Sequence, residues 1–156
     1  MDAYAIVKTA HILSATVLFG TGVGTAFFFW RANRPGHEDG RLAIARTTVL
    51  ADWLFTAPAV ALQPATGAWL IQHSGLPWND LWLVATYLLY LVAGLCWIPV
   101  VLIQIRMKRI LLRASAGGPL DERLYDKLFR TWFALGWPAF GGLVVIFFLM
   151  VLKPSW

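Results

Sequence analysis

Apolar residues fall in four long blocks, at about 4–30, 47–72, 81–105 and 131–152, separated by short polar connections. Each block is 22 to 27 residues long. As helices they would reach roughly 33–40 Å, enough for the roughly 30 Å hydrocarbon core of a bilayer with some tilt. The pattern predicts an all-α fold, an integral membrane four-helix bundle with antiparallel neighbours, and a single domain over 1–156. The first block is about twice as long as a signal peptide's apolar region and follows no basic segment, so it is expected to stay attached.

Charge then orients the bundle. The connection 31–46 holds Arg31, Arg34, Arg41 and Arg46, and the connection 106–130 holds Arg106, Lys108, Arg109, Arg113, Arg123, Lys127 and Arg130. Only Lys8 and Lys153 lie elsewhere. Lys and Arg near span ends stay on the cytoplasmic side, so both basic connections are placed inside and both termini outside. Tyr4, Trp30, Trp69, Trp78, Trp82, Trp132 and Trp156 fall near span ends, where amphipathic rings suit the headgroup layer. Trp53, Trp97 and Trp137 lie deeper and are expected to pack inside.

The third block is expected to extend as helix to about Arg113 and stop at Ala116-Gly117-Gly118-Pro119, with the fourth helix starting before it meets the membrane. This basic stretch is expected to lie against anionic headgroups. Pro58, Pro64, Pro99 and Pro138 interrupt the spans and invite kinks. Gly20, Gly22 and Gly24, and the Gly141-Gly142 pair, are expected to allow close helix packing.

Composition agrees: 59% hydrophobic, 13% charged, against about 25% charged in soluble domains. The formal charge of +5 belongs to membrane topology, and no nucleic-acid partner is expected. One cysteine, Cys96, excludes an intrachain disulfide, and as a thiol in an apolar span it is expected to be inert packing.

Ionisable groups within spans are costly and are the default functional candidates. Lys8 is close enough to the outer boundary to snorkel. His11 lies roughly 10 Å deep and is a candidate haem ligand through a ring nitrogen; small Ala10, Ser14 and Ala15 flank it. The other reading is a neutral histidine hydrogen-bonded across the bundle to Gln63, Thr66 or Tyr87, since Gln63 and Thr66 fall at nearly its depth. A second axial ligand is wanting: His73, at the outer end of the second span, is a weak candidate, and His37 reads as a surface residue. Asp52, one turn inside the cytoplasmic boundary, is expected to pair with Arg46 or Arg31 or to serve as a relay. A pocket in the outer leaflet half is expected, walled by His11, Ser14, Gln63, Thr66, Tyr87 and Tyr90.

The run Val7-Lys8-Thr9-Ala10-His11, with Phe19-Gly20-Thr21-Gly22 after it, resembles the first helix of the HemJ-like and CopD-like group of small bacterial membrane proteins. The likeness continues in Gln63-Pro64-Ala65-Thr66-Gly67, in Gln104-Ile105-Arg106-Met107-Lys108, and from Phe129-Arg130 to Lys153-Pro154. In detail, residues 20–28, 51–56, 63–67 and 96–107 look closest to an uncharacterised family of small predicted inner-membrane proteins, defined by shape rather than activity. The HemJ-like resemblance implies haem b held by His11 and porphyrin or quinone redox chemistry. It also implies a lysine and a histidine in the third helix, where this chain has Trp82 to Tyr87 and Cys96 to Pro99.

Two functions follow as expectations in a multi-pass protein of the bacterial inner membrane. One is electron transfer or porphyrin/quinone chemistry through a haem b on His11. The alternative is a cofactor-free binding or assembly subunit that holds a lipid or small amphiphile, alone, as a homo-oligomer or within a larger membrane complex. Nothing in the pattern decides whether the protein is an enzyme.

Overall fold

The computed structural model describes residues 2–154, and over them the fold is entirely helical, with no strand among the described residues. Trp156, placed above near a span end, lies outside them. The elements are α1 (Ala3–Ala32), α2 (Arg41–Ala51), α3 (Ala57–Ser74), α4 (Leu81–Ser115) and α5 (Glu122–Leu152). A 3-10 turn over Glu38–Gly40 precedes α2, and a π-helical turn over Asp52–Thr56 joins α2 to α3 into one rod, Arg41–Ser74. The four rods are each long and apolar enough to cross a membrane.

Local chemistry sets the ends. The Asp2 carboxylate accepts the Tyr4 N–H at 3.2 Å and starts α1, and Asp121 accepts the Leu124 N–H at 3.0 Å and starts α5. Gly75 (φ 69°) closes α3 in the left-handed region, and Gly117 (φ 88°) follows the end of α4. The second rod begins at Arg41, earlier than the apolar pattern suggested. Leu42, Ala43 and Ala45 propagate helix well once Gly40 is passed, and the added turns bury Ala45.

Pro64, Pro99 and Pro138 sit inside continuous helices. A proline in a helix frees the carbonyl four residues earlier. For Pro64 that is Val60, and the Tyr90 hydroxyl of α4 donates to this carbonyl at 2.6 Å.

Two helix pairs build the bundle. α4 and α5 make the most extensive pairing, and α1 packs along α3 and α2. Tyr4 meets Trp69, His11 meets Thr66 and Ser14 meets Gln63, so α1 and α3 run in opposing directions. Trp82 meets Lys153 and Gln104 meets Trp132, so α4 and α5 do the same.

The pairs are joined mainly at their ends. At the basic end Phe29, Ala45, Met107, Leu111, Tyr125 and Trp132 form an apolar core, with the Tyr125 hydroxyl donating to Asn33 Oδ1 at 2.7 Å. At the other end Ile71, Trp82 and Leu83 pack with Leu76, Leu149 and Met150.

Three packing expectations are corrected. A Cβ built on Gly20, Gly22, Gly24 or Gly141 would meet nothing within 4 Å, so none of these glycines serves a close approach within this chain. Gly142 does, its Cβ position lying 3.6 Å from the Leu89 carbonyl oxygen across α4 and α5. Trp53 and Trp137 are 62% and 64% exposed rather than packed inside, because rings at mid-span are as well solvated by hydrocarbon as by protein.

Candidate functional site

Two polar clusters and one cleft lie within the bundle. The first cluster clamps α1 to α3. His11 Nδ1 lies 2.7 Å from Thr66 Oγ1, whose hydroxyl also reaches the Leu62 carbonyl at 2.7 Å. The assignment that satisfies every group has Thr66 donating to Leu62 and accepting His11 Nδ1–H, which leaves the Nε2 lone pair. The Gln63 amide donates to the His11 carbonyl at 2.8 Å and to Ser14 Oγ. Gly67 lies against the ring: a Cβ there would sit 3.4 Å from His11 Cε1, at van der Waals contact. Thr66→Val, which keeps shape and deletes the hydroxyl, is expected to cost about 1 kcal/mol in thermal unfolding of the detergent-solubilised protein.

The second cluster joins three rods. Asp52 and Thr56 are one turn apart along the π-helical turn, which ends two residues before Pro58. Thr56 Oγ1 donates to Asp52 Oδ1 at 3.0 Å, and both residues are buried. Gln104 of α4 completes the set. The Trp132 indole can only donate, so the Gln104 carbonyl oxygen accepts it at 3.1 Å and the amide NH2 donates to Asp52 Oδ2 at 2.5 Å.

This corrects the ion pair expected at Asp52. Among the described residues no cationic nitrogen lies within 4.0 Å of its carboxylate. Arg46 is exposed, and Arg31 Nη1 contacts His37 Nδ1 at 3.1 Å. The inward turn carries Asp52 away from both and onto Gln104.

The cleft, of about 640 Å³, lies between α1 and the α4–α5 pair. Its walls run from Leu18 to Arg34 on α1 and just beyond, from Tyr90 to Gln104 on α4, and from Trp132 to Leu143 on α5, with Asp52, Thr56 and Val60 behind. Each wall helix contributes one glycine, Gly22, Gly94 and Gly136, and a Cβ on any of them would meet nothing within 4 Å. The space exists because those three positions lack side chains. Phe27, Phe133, Trp137 and Phe140 line it yet are 39–64% exposed, so they form a rim facing the surrounding hydrocarbon.

Of the residues expected to wall an outer pocket, only Tyr90 lines this cleft. Ser14, Gln63 and Thr66 are taken up with His11, and Tyr87 is exposed on α4. His73 is exposed, its ring stacked 3.7 Å from that of Trp69 and its Nδ1 donating to the Trp69 carbonyl at 2.9 Å.

Space and ligand set, rather than the histidine's own chemistry, decide whether haem fits. The remaining Nε2 lone pair of His11 suits iron. The cleft wall, however, begins at Leu18, two turns further along α1, and His11 is not part of it. No group of three or more metal-ligating side chains occurs among the described residues, and His73 is engaged elsewhere. His11 is thus held in its hydrogen-bonded cluster with Thr66, outside the cleft.

Sequence reasoning missed Gln104 and Trp132 as a polar pair, and Gly22, Gly94 and Gly136 as cleft residues, Gly22 having been assigned to helix packing. Gln104 was visible as an amide just inside the end of an apolar block, the same signal that drew attention to Gln63. The glycines carried no such signal, because only the placement of three helices shows that they share one space.

The arrangement defines a class: a four-helix integral membrane protein with an apolar cleft open sideways, backed by one buried polar network. The chain belongs to the family described as predicted integral membrane protein (DUF2269), whose model matches residues 5–154. No curated protein and no solved structure matches it.

Proposed function

We propose that this protein binds an amphiphile drawn from the surrounding bilayer and holds it in the cleft between α1, α4 and α5. The observation that carries this reading is an apolar space of about 640 Å³ with an aromatic rim facing the hydrocarbon and a polar network behind it. Ligand pockets commonly have about 300–1,000 Å³ and mostly apolar walls with a few placed polar groups. By the distribution of Lys and Arg, the Arg34 end of the cleft lies on the cytoplasmic side and both termini lie outside. The resemblance to bacterial families supports the inner membrane as its location. Electron transfer through a haem on His11 draws on that residue's depth in α1 and on the resemblance, and no step is assigned to it.

The test fills the space. Gly136→Leu places a branched side chain where nothing lies within 4 Å and replaces a poor helix former with a good one, so folding is retained. Native mass spectrometry of protein extracted gently from membranes should show a bound amphiphile that is lost from the variant. Equal occupancy in both proteins would overturn the reading. A Soret band that vanishes in His11→Ala would establish the haem reading in its place.

A further inference from the structure

We infer that the occupant is a single-chain anionic amphiphile, with its charged head at Arg34 and its chain running along α1 toward Leu18 and Leu143. This rests on the cleft being a binding site, and it adds the ligand's class and direction.

Shape is the first argument. From Leu18 to Ala32, where α1 ends, is fourteen residues, about 21 Å of rise, with Arg34 just beyond. The lining of α4, from Tyr90 to Gln104, extends about 21 Å beside it. A volume of about 640 Å³ drawn out over that length makes a narrow channel. It matches one extended long-chain acyl group better than a compact ring system, and the sideways rim of Phe27, Trp137 and Phe140 lets a chain slip in from the lipid without leaving hydrocarbon.

Charge is the second. Arg34 is the one cation among the residues lining the cleft, and it sits at the basic end. Its guanidinium lies 4.4 Å from the ring centroid of Trp30, which lines the same cleft and is half-buried. Among the described residues no carboxylate lies within 4.0 Å of it. A guanidinium on an aromatic face keeps its in-plane N–H donors available for a carboxylate or phosphate.

The one acid in the lining, Asp52, is 5% exposed and receives Thr56 and Gln104. It therefore leaves the passing chain a largely apolar wall. The opposite polarity is disfavoured, since a head at the Leu18 end would meet Leu18, Phe140 and Leu143 with no cation.

The experiment compares two probes of one chain length, oleate and oleyl alcohol, titrated into the full-length protein in phosphatidylcholine nanodiscs, with binding read by displacement of a brominated chain that quenches tryptophan fluorescence. Wild type should prefer oleate by about tenfold, as expected for one charge-assisted contact to the exposed Arg34 at the cleft's end. Arg34→Gln should bring the two within about twofold without changing the alcohol's affinity, and Arg34→Lys should restore much of the preference. A preference that persists in Arg34→Gln, or none in wild type, overturns the head assignment while leaving the cleft in place. Binding of neither probe, or binding unchanged in Gly136→Leu, overturns the cleft reading and this inference with it.

Discussion

Gln104→Leu is expected to destabilise the bundle by about 3 kcal/mol, because it strands two buried polar groups at once. Leucine fills nearly the same volume but neither donates to Asp52 Oδ2 nor accepts from Trp132 Nε1–H. Each orphan costs about 1–3 kcal/mol, and a carboxylate left without its donor lies at the upper end. For a chain of this size that corresponds to a fall of roughly 6–12 °C in Tm, read by circular dichroism in detergent. Trp132→Phe alone strands only the Gln104 carbonyl oxygen. The double variant should therefore be less damaging than the two single losses added together. A Gln104→Leu protein melting within about 2 °C of wild type would show that water or an alternative rotamer supplies the missing partners.

Phe29→Ala is expected to cost about 3–5 kcal/mol, while Phe28→Ala costs little. The neighbours differ only in the direction α1 turns them. Phe29 is fully buried, 4.9 Å from the Trp132 ring and 6.4 Å from the Phe129 ring, whereas Phe28 is 57% exposed toward lipid. Lipid tails and the protein interior are equally apolar, so the loss at Phe29 is one of packing: a cavity opens where α1 meets α5 at the basic end. Trp132 also lines the cleft, so Phe29→Ala should weaken amphiphile binding as well as lower Tm. Equal Tm changes in the two variants would refute the packing assigned to this core.

The spans were legible because hydrocarbon acts on every residue of a rod in the same way. The blocks at 4–30, 47–72, 81–105 and 131–152 each lie within a helix, and Gly117 ends α4 where the Ala116-Gly117-Gly118-Pro119 run predicted a stop. Depth was legible for the same reason: counting rise along two neighbouring rods put Gln63 and Thr66 level with His11, and hydrogen bonds join them there. Facing was not. A helix apolar all round carries no stripe to show which side meets protein, so Trp53 and Trp137, assigned inward from depth, and Gly20 and Gly24, assigned to packing from their spacing, turn outward or pack on nothing.

Asp52 shows the same limit on a single side chain. Its depth and its distance in sequence from Arg46 suggested an ion pair at the headgroups. The π-helical turn before Pro58 adds a residue to the rod locally and sets Asp52 and Thr56 toward Gln104 instead. A pattern counted in regular helical turns cannot register that shift.

By itself the sequence determined that the chain is four membrane-crossing helices with their cationic ends gathered on one side, since transfer into hydrocarbon is a sum over residues that needs no knowledge of contacts. Tertiary structure alone decided that Gly22, Gly94 and Gly136 open one shared cleft, that Arg34 stands at its mouth, and that Asp52 answers to Gln104. Those are relations between helices whose lipid-facing and protein-facing sides are chemically alike, and only their packing tells the sides apart.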